Sequence, residues 1–334
     1  MLCGVPQGSI LGPVLFLIYV NDMPLASNLN TLSFADDTTV SLSGPNPDTL
    51  YNDMNIELQR LSNWFRANKL CLNVSKTKYI LFRPSTNFPN IKDNYQILLD
   101  GQPVDRIGND CPEKSFKFLG IHIDETLSWK YHIKQVCSKI ARSNYTINRV
   151  KRVLPKDVLK TLHDTMIQSH INYGLLIWGN SKHLGKIMKL QKRAIRTISN
   201  KGYNSHTEPL FKKHYILTVT DHFRFRVLDF MYRFKHEQLP SSFAILRNRY
   251  FINLRERPNT RQTMLANCMR FRTNYTSNLP FHTFPRMWNA IDRNLHNTQT
   301  IGVFRAQIYK SMLDVYRDTV VCQNINCRQC NPPR

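Results

Sequence analysis

Asp36 and Asp37 stand side by side in the stretch Leu32-Ser-Phe-Ala-Asp36-Asp37-Thr-Thr-Val-Ser-Leu42, and their type and spacing suggest metal chemistry. Two adjacent carboxylates repel one another unless cations lie beside them, and an all-oxygen donor pair suits magnesium or manganese. Leu32, Phe34, Val40 and Leu42 alternate with small or polar residues. That period of two predicts a hairpin with the carboxylates at its tip. A plainer reading stands beside it, because Asp favours turns by bonding its own backbone.

Other residues offer different chemistry. Gly4-Val-Pro-Gln-Gly-Ser9 is a turn whose backbone amides, Gln7 side chain and following helix N-terminus suit a phosphate or a base edge. It serves equally as a glycine turn capping a core helix. In residues 184–199, at about 100° per residue, Leu184, Ile187, Met188, Ala194, Ile195 and Ile198 share one arc. Lys186, Lys189, Lys192, Arg193 and Arg196 share the opposite one. A charged face is often only a solvated face; charges of a single sign suit phosphate contact. In the tail, Cys322, Cys327 and Cys330 have spacing suited to zinc. A closed site takes four ligands, for which His296 or Cys268 would have to fold over; unpaired tail thiols are the alternative.

The elements expected to position these groups change character along the chain. A buried helix over roughly residues 12–24 has Pro13 in its first turn. After the breaker run Ser43-Gly-Pro-Asn-Pro-Asp48, a helix capped by Asp48 extends to about residue 68, with Leu50, Met54, Leu58, Leu61 and Phe65 on one face. Lys76 and Lys78 precede a strand at residues 79–82. Asp100-Gly101 marks a hairpin turn, and residues 116–123 form a further strand or hairpin. From residue 127 the period turns helical. Ile133, Val136, Ile140, Tyr145 and Val150 line one helix, which gathers Lys134, Lys139, Arg142 and Arg149. Pro155 opens another with Val158, Leu159, Leu162, Met166, Ile167 and Ile171 on one side. Residues 201–260 interleave aromatics with cations, as in His222-Phe-Arg-Phe-Arg226, a pattern that grips single strands when exposed and packs a core when buried. Residues 255–300 are expected to be loop-rich, with a last helix over residues 303–316.

Charge separates the two halves. The 334 residues carry Lys+Arg 46 against Asp+Glu 23, a net +23, an imbalance suited to a polyanionic partner rather than to an ordinary soluble enzyme. Residues 1–110 hold 8 Lys+Arg and 10 Asp+Glu, leaving 38 against 13 downstream. The basic surface therefore follows the carboxylate hairpin. Hydrophobic residues at 42% exclude wholesale disorder. Eight scattered cysteines lack the density of a secreted disulfide scaffold, which points to a reducing, intracellular setting. The apolar run at residues 14–20 falls well short of the ~20 residues needed to span a bilayer. No basic segment precedes it, so neither signal peptide nor membrane span is expected.

Four of these segments, in this order, resemble the reverse transcriptases of non-LTR (LINE-type) retrotransposons. Gly4-Val-Pro-Gln-Gly-Ser-Ile-Leu-Gly-Pro13 is similar to the family's template- and nucleotide-contacting motif, and Phe34-Ala-Asp-Asp37 to its catalytic carboxylate motif. Leu70-Cys-Leu-Asn73-Val-Ser-Lys76-Thr-Lys78 resembles the next palm motif, and Phe118-Leu-Gly-Ile-His-Ile123 the primer-gripping hairpin. Ile171-Asn-Tyr-Gly174, Ile177-Trp-Gly179 and Leu190-Gln-Lys-Arg-Ala-Ile-Arg196 are similar to the helical region after the polymerase, so the resemblance covers roughly residues 1–235.

The resemblance implies an α+β fold: a partial reverse-transcriptase palm of a helix plus antiparallel hairpins over residues 1–125, then a basic, mainly α-helical thumb-like region over 126–240. A loop-rich region with the cysteine tail would occupy 241–334. It implies that Asp36 and Asp37 serve a two-metal magnesium mechanism. Gln7, Gly8 and Ser9 would position template and incoming base, and Leu119 and Gly120 the primer. Lys76, or as second choice Lys78, would neutralise or protonate departing pyrophosphate. The implied partners are an RNA template, a DNA primer and deoxynucleoside triphosphates, in nucleus or cytoplasm, with no organic cofactor. The family's first metal-binding aspartate belongs to a motif upstream of Gly4, before which only Met1-Leu-Cys3 stand. This chain alone is accordingly expected to be inactive, and a non-catalytic RNA- or DNA-binding remnant is the alternative.

Overall fold

A computed structural model describes residues 8–82, 95–243, 266 and 279–316. Its two units comprise residues 1–116 with 124–127, and residues 117–123 with 128–334.

In the first unit, helix α1 (Leu11–Tyr19) leads through a short 3-10 turn to strands β1 (Asn30–Phe34) and β2 (Asp37–Ser41). Helix α2 (Pro47–Ala67) follows. Asn46, not the expected Asp48, caps it: the Asn46 side chain accepts the Asp48 backbone N–H at 2.9 Å, which leaves Asp48 inside the first turn, where a negative charge meets the positive end of the helix dipole. Tyr51 and Leu58 pack with Leu29, Ile97, Leu99 and Val104 in this unit's core. Each fully buried side chain of this kind contributes about 1.5–3 kcal/mol. Strands β4 (Leu98–Leu99) and β5 (Gln102–Pro103) form the expected hairpin. Asp100 (φ 53°) and Gly101 (φ 77°) are both left-handed, as a two-residue turn of this class requires.

The expectation of antiparallel hairpins alone fails at one pair. Strand β3 (Lys78–Ile80) pairs in parallel with β6 (Asp105–Ile107), Lys78 opposite Asp105 and Ile80 opposite Ile107. A parallel pair needs a long crossover and so leaves no turn signature to read. Glu125, buried, accepts Arg106 Nη2 at 3.3 Å and Asn109 Nδ2 at 2.9 Å, while Arg106 also reaches Asp110 at 3.0 Å. These bonds hold residues 124–127 to the loop after β6.

The expected buried helix of residues 12–24 is also revised. Helix α1 is shorter and has no buried residue; Ile10 is 89% exposed and Ile18 68%. Its apolar residues surround the helix, and so mark no inward face.

In the second unit, strands β7 (Phe116–Phe118) and β8 (Ile121–Ile123) precede helix α3 (Lys130–Val150). Ile133, Val136, Ile140 and Ile147 form the buried seam of α3. Tyr145 was expected on that seam and is 67% exposed, since it lies off the two-turn repeat that joins Ile140 to Ile147. The single helix expected after Pro155 is three pieces: α4 (Lys156–His163), a π turn (Asp164–Gln168) and α5 (Ser169–Asn172). The wider turn re-phases the apolar positions, burying Leu159, Ile167 and Ile171 while Val158 stays 37% exposed. Ser143, on α3, donates to the Met166 carbonyl at 3.0 Å and so holds the π turn in place.

Helices α6 (Leu175–Trp178), α7 (Gly185–Ile198), α8 (Glu208–Lys213) and α9 (Val219–Lys235) complete the central packing. On α9, Phe223, Tyr232 and Phe234 are buried, so these aromatics build the core rather than a stacking surface. Residues 280–296, expected to be loop, form α10 (Pro280–Asn289) and α11 (Arg293–His296), because Phe284 and Trp288 bury against α9 in spite of the two prolines. The last helix, α12 (Ile301–Asp314), begins at the Thr300 cap. Arg305 of α12 forks onto buried Asp229 at 2.6 and 3.1 Å, and Tyr316 donates to Asp221 at 2.5 Å. Among the described residues no helix is long and apolar enough to cross a membrane.

Candidate functional site

The carboxylate hairpin forms as its alternating pattern predicts. Strands β1 and β2 pair antiparallel from Asn30 opposite Ser41 to Phe34 opposite Asp37. Ala35 and Asp36 make the two-residue loop, with Ala35 at φ 53°. Asp37 is the first residue of β2, and both aspartates are exposed. They can thus offer hard oxygen ligands to a magnesium ion that keeps water and substrate phosphates in its remaining positions. Among the described residues no group of three His, Cys, Asp or Glu side chains stands ready to hold a metal. The residues present therefore fit one side of a magnesium site.

Gly8 takes φ 86°, and a Cβ there would meet nothing within 4 Å; glycine is needed for backbone conformation, not for space. Ser9 Oγ accepts the Gly12 N–H at 3.2 Å, satisfying one of the open donors at the start of α1. Gln7 lies outside the described residues, as do Cys268 and the tail cysteines Cys322, Cys327 and Cys330. His296, the other residue considered as their fourth ligand, is 1% exposed and packs against Trp288 with ring centroids 4.6 Å apart. Burial holds its basicity below the usual histidine range, as does nearby Lys235.

Lys76 and Lys78 differ in surroundings. Asn73 accepts the Lys76 backbone N–H at 3.2 Å and shapes the turn before β3, leaving the Lys76 side chain exposed. Lys78 is half-buried and ion-paired with Glu113.

Leu119 (φ 43°) and Gly120 (φ 83°) form the loop of the β7–β8 hairpin. The Tyr173 hydroxyl donates to the Leu119 carbonyl, and a Cβ on Gly120 would stand 3.2 Å from the Tyr173 ring. Gly174, at φ 63°, lies so close to Ile121 that a Cβ would be 2.5 Å from Ile121 Cδ1. Two segments far apart in sequence thus meet, and Tyr173 fixes the loop expected to carry primer contacts. The aromatic-glycine pair Tyr173-Gly174 was a signal of close approach, but nothing in the sequence named its partner.

On α7, Ile187, Ala194, Ile195 and Ile198 are buried, and Lys186, Lys189, Lys192 and Arg193 are exposed, the division expected from spacing. Arg196 departs from its group. Its Nε donates to the Ser205 carbonyl at 2.8 Å and its guanidinium lies 5.8 Å from the Tyr203 ring centroid, so it is already engaged within the unit. Gln191, not singled out by the sequence, is fully buried. It donates to the Leu217 carbonyl at 3.0 Å and accepts the Val219 N–H at 2.8 Å, tying α7 to the start of α9.

Residues 1–123 match the sequence model of a family described as reverse transcriptase (RNA-dependent DNA polymerase). This match spans the carboxylate hairpin, Lys76 and the β7–β8 loop. Among individual proteins, the chain is similar to the probable RNA-directed DNA polymerase from transposon X-element of Drosophila melanogaster, with 24% identity over 65% of this chain and 24% of that protein. It is also similar to the RNA-directed DNA polymerase from mobile element jockey of the same species, with 24% identity over 62% of this chain and 23% of that protein. The transposon BS counterpart is 27% identical over 61% of this chain and 23% of its own length. The chain thus spans about a quarter of the length of these relatives. No solved structure matches it significantly.

Proposed function

We propose that this chain is part of a non-LTR retrotransposon reverse transcriptase and takes part in RNA-templated DNA synthesis. The observation that carries this reading is the exposed Asp36-Asp37 pair at a hairpin tip, inside the segment that matches the reverse-transcriptase family. Magnesium, when bound, supplies the charge that neutralises attacking and leaving oxygens in nucleotidyl transfer. Asp36 and Asp37 would hold it and orient it toward substrate phosphates. Exposed Lys76 is available to neutralise departing pyrophosphate, whereas Lys78 is occupied by Glu113. Gln7, Gly8 and Ser9 contact template and incoming nucleotide, and the Leu119-Gly120 loop, buttressed by Tyr173, contacts the primer. The exposed cations of α7 hold the phosphate backbone of the nucleic acid.

A carboxylate pair alone provides too few ligands for a two-metal clamp. We therefore expect no extension of a DNA primer on an RNA template by these residues alone with magnesium. Extension is expected when a reverse-transcriptase segment carrying a further carboxylate is supplied, and its loss is expected in Asp36→Asn. Extension that persists in Asp36→Asn overturns the assignment.

The exposed cations of α7 support a second reading, a retroelement remnant that binds RNA or DNA without chemistry. Nucleic-acid binding with no extension under either condition is its signature.

A further inference from the structure

A second set of cations lies on elements other than α7. Three elements of the helical unit meet there, since β8 and α5 both pack on α3. His122, on β8, donates its backbone N–H to Nδ1 of His132 at 3.3 Å, which fixes the hairpin against α3. Lys139 follows His132 by two helical turns, on the same side, and Arg142 follows one turn later. Arg142 adjoins Ser143, whose bond to Met166 holds the π turn that leads into α5 and His170. Lys117, Lys139 and Arg142 are exposed, and His122 and His170 are half-buried.

Counter-charge is sparse in these segments, with Asp124 and Asp164 at their borders in sequence. Residues 114–123, 126–156 and 165–207 contain no Asp or Glu. Such a row of cations attracts a polyanion. The two histidines make this surface different from that of α7. His122 faces burial, Lys117 and Lys139, and His170 faces burial, Lys139 and Arg142; each is held below the usual histidine range. His132, deeper and against Trp178, is pushed down to about 4 by burial, His122 and Lys139, and remains neutral. A phosphate chain laid across Lys117, Lys139 and Arg142 reverses the field at the two outer rings and favours their charged forms.

We propose that this face binds a nucleic-acid phosphate backbone and that His122 and His170 take up protons when it does. This rests on the reading of the chain as a nucleic-acid-binding protein. It adds that one of its contact surfaces is linked to protons while the α7 surface is not.

The test uses the full chain and a mixed-sequence RNA–DNA hybrid duplex, with calorimetric titration in two buffers of different ionisation enthalpy and affinity measured across salt. Binding by the unmodified chain is expected to take up protons near and below about pH 6.5, and to tighten as pH falls, by at most about tenfold per pH unit for each proton taken up. In His122→Gln/His170→Gln the uptake disappears. In Lys139→Gln/Arg142→Gln the salt slope falls by about 2 and the uptake shrinks. In Lys189→Gln/Arg193→Gln the slope falls and the uptake persists. Thermal unfolding of each variant separates lost folding from lost contact. Binding without proton uptake, or uptake that survives in the double-histidine variant, overturns this proposal alone. An absence of binding at every salt concentration overturns the nucleic-acid reading as well.

Discussion

Lys76 and Lys78 show how two residues of the same type, separated by one position, are given different surroundings by their neighbours. Lys78 is engaged by Glu113 at the start of β3, while Lys76 projects from the Asn73-shaped turn. In a primer-extension reaction that has its full set of carboxylates, Lys76→Gln should lower the rate by at least about a hundredfold, the lower range for a lost general acid. Lys78→Gln should leave the rate nearly unchanged and cost at most about 1 kcal/mol of stability, as befits a partly exposed ion pair. Single-turnover rates of the two variants check both statements, and equal losses would remove Lys76 from its assigned role. The placement of the aspartates at a hairpin tip was legible because apolar alternation on both sides of a turn leaves a local pattern. The Tyr173–Leu119 bond was not legible, since no local rule connects a tyrosine to a carbonyl 54 positions away.

At the scale of elements, the amphipathic helices were the readable part. The seam of α3, apart from Tyr145, and the two faces of α7, apart from Arg196, follow from three- and four-residue spacing. Where long-range packing decides, the pattern misleads. The π turn re-phases the segment after Pro155, burial of Phe284 and Trp288 makes helix of a stretch rich in loop-forming residues, and α1 offers apolar residues on every side without an inward face. Buried polar ties between elements are equally silent in sequence. The Asp229–Arg305 fork joins α9 to α12, and Arg233 lies 3.4 Å from the same carboxylate. Asp229→Ala removes two charge-assisted hydrogen bonds and leaves Arg305 unpaired. We expect a loss of about 2 kcal/mol, visible as a lower urea midpoint at unchanged m-value. An unchanged midpoint would show that the fork contributes nothing net.

Across the whole molecule, charge and burial act together on stability. His132 and His222 are both pushed from 6.5 down to about 4, mainly by burial. The unfolded chain therefore binds more protons than the folded one between those values, and stability must fall with falling pH there. It is fully present above about pH 6.5 and is progressively lost toward pH 4. Glu57 adds a loss of the same sign only below about pH 4.5, since the Asn28 backbone N–H holds its carboxyl below the usual range. Thermal melts recorded from neutral pH to about 4 should show a monotonic decline in Tm that lessens in His222→Gln; a Tm that is flat across this window would contradict the burial argument.

The parallel pairing of β3 with β6 has a consequence for folding kinetics. Its partners are separated by residues 81–104, so a long loop must close before the first ladder bond can form. The α3 seam, by contrast, assembles within single helical turns. Such non-local closure slows folding, by an amount that grows only slowly with the length of the loop. The β3–β6 ladder is therefore expected to form after helix α2 of the same unit, whose bonds are all local.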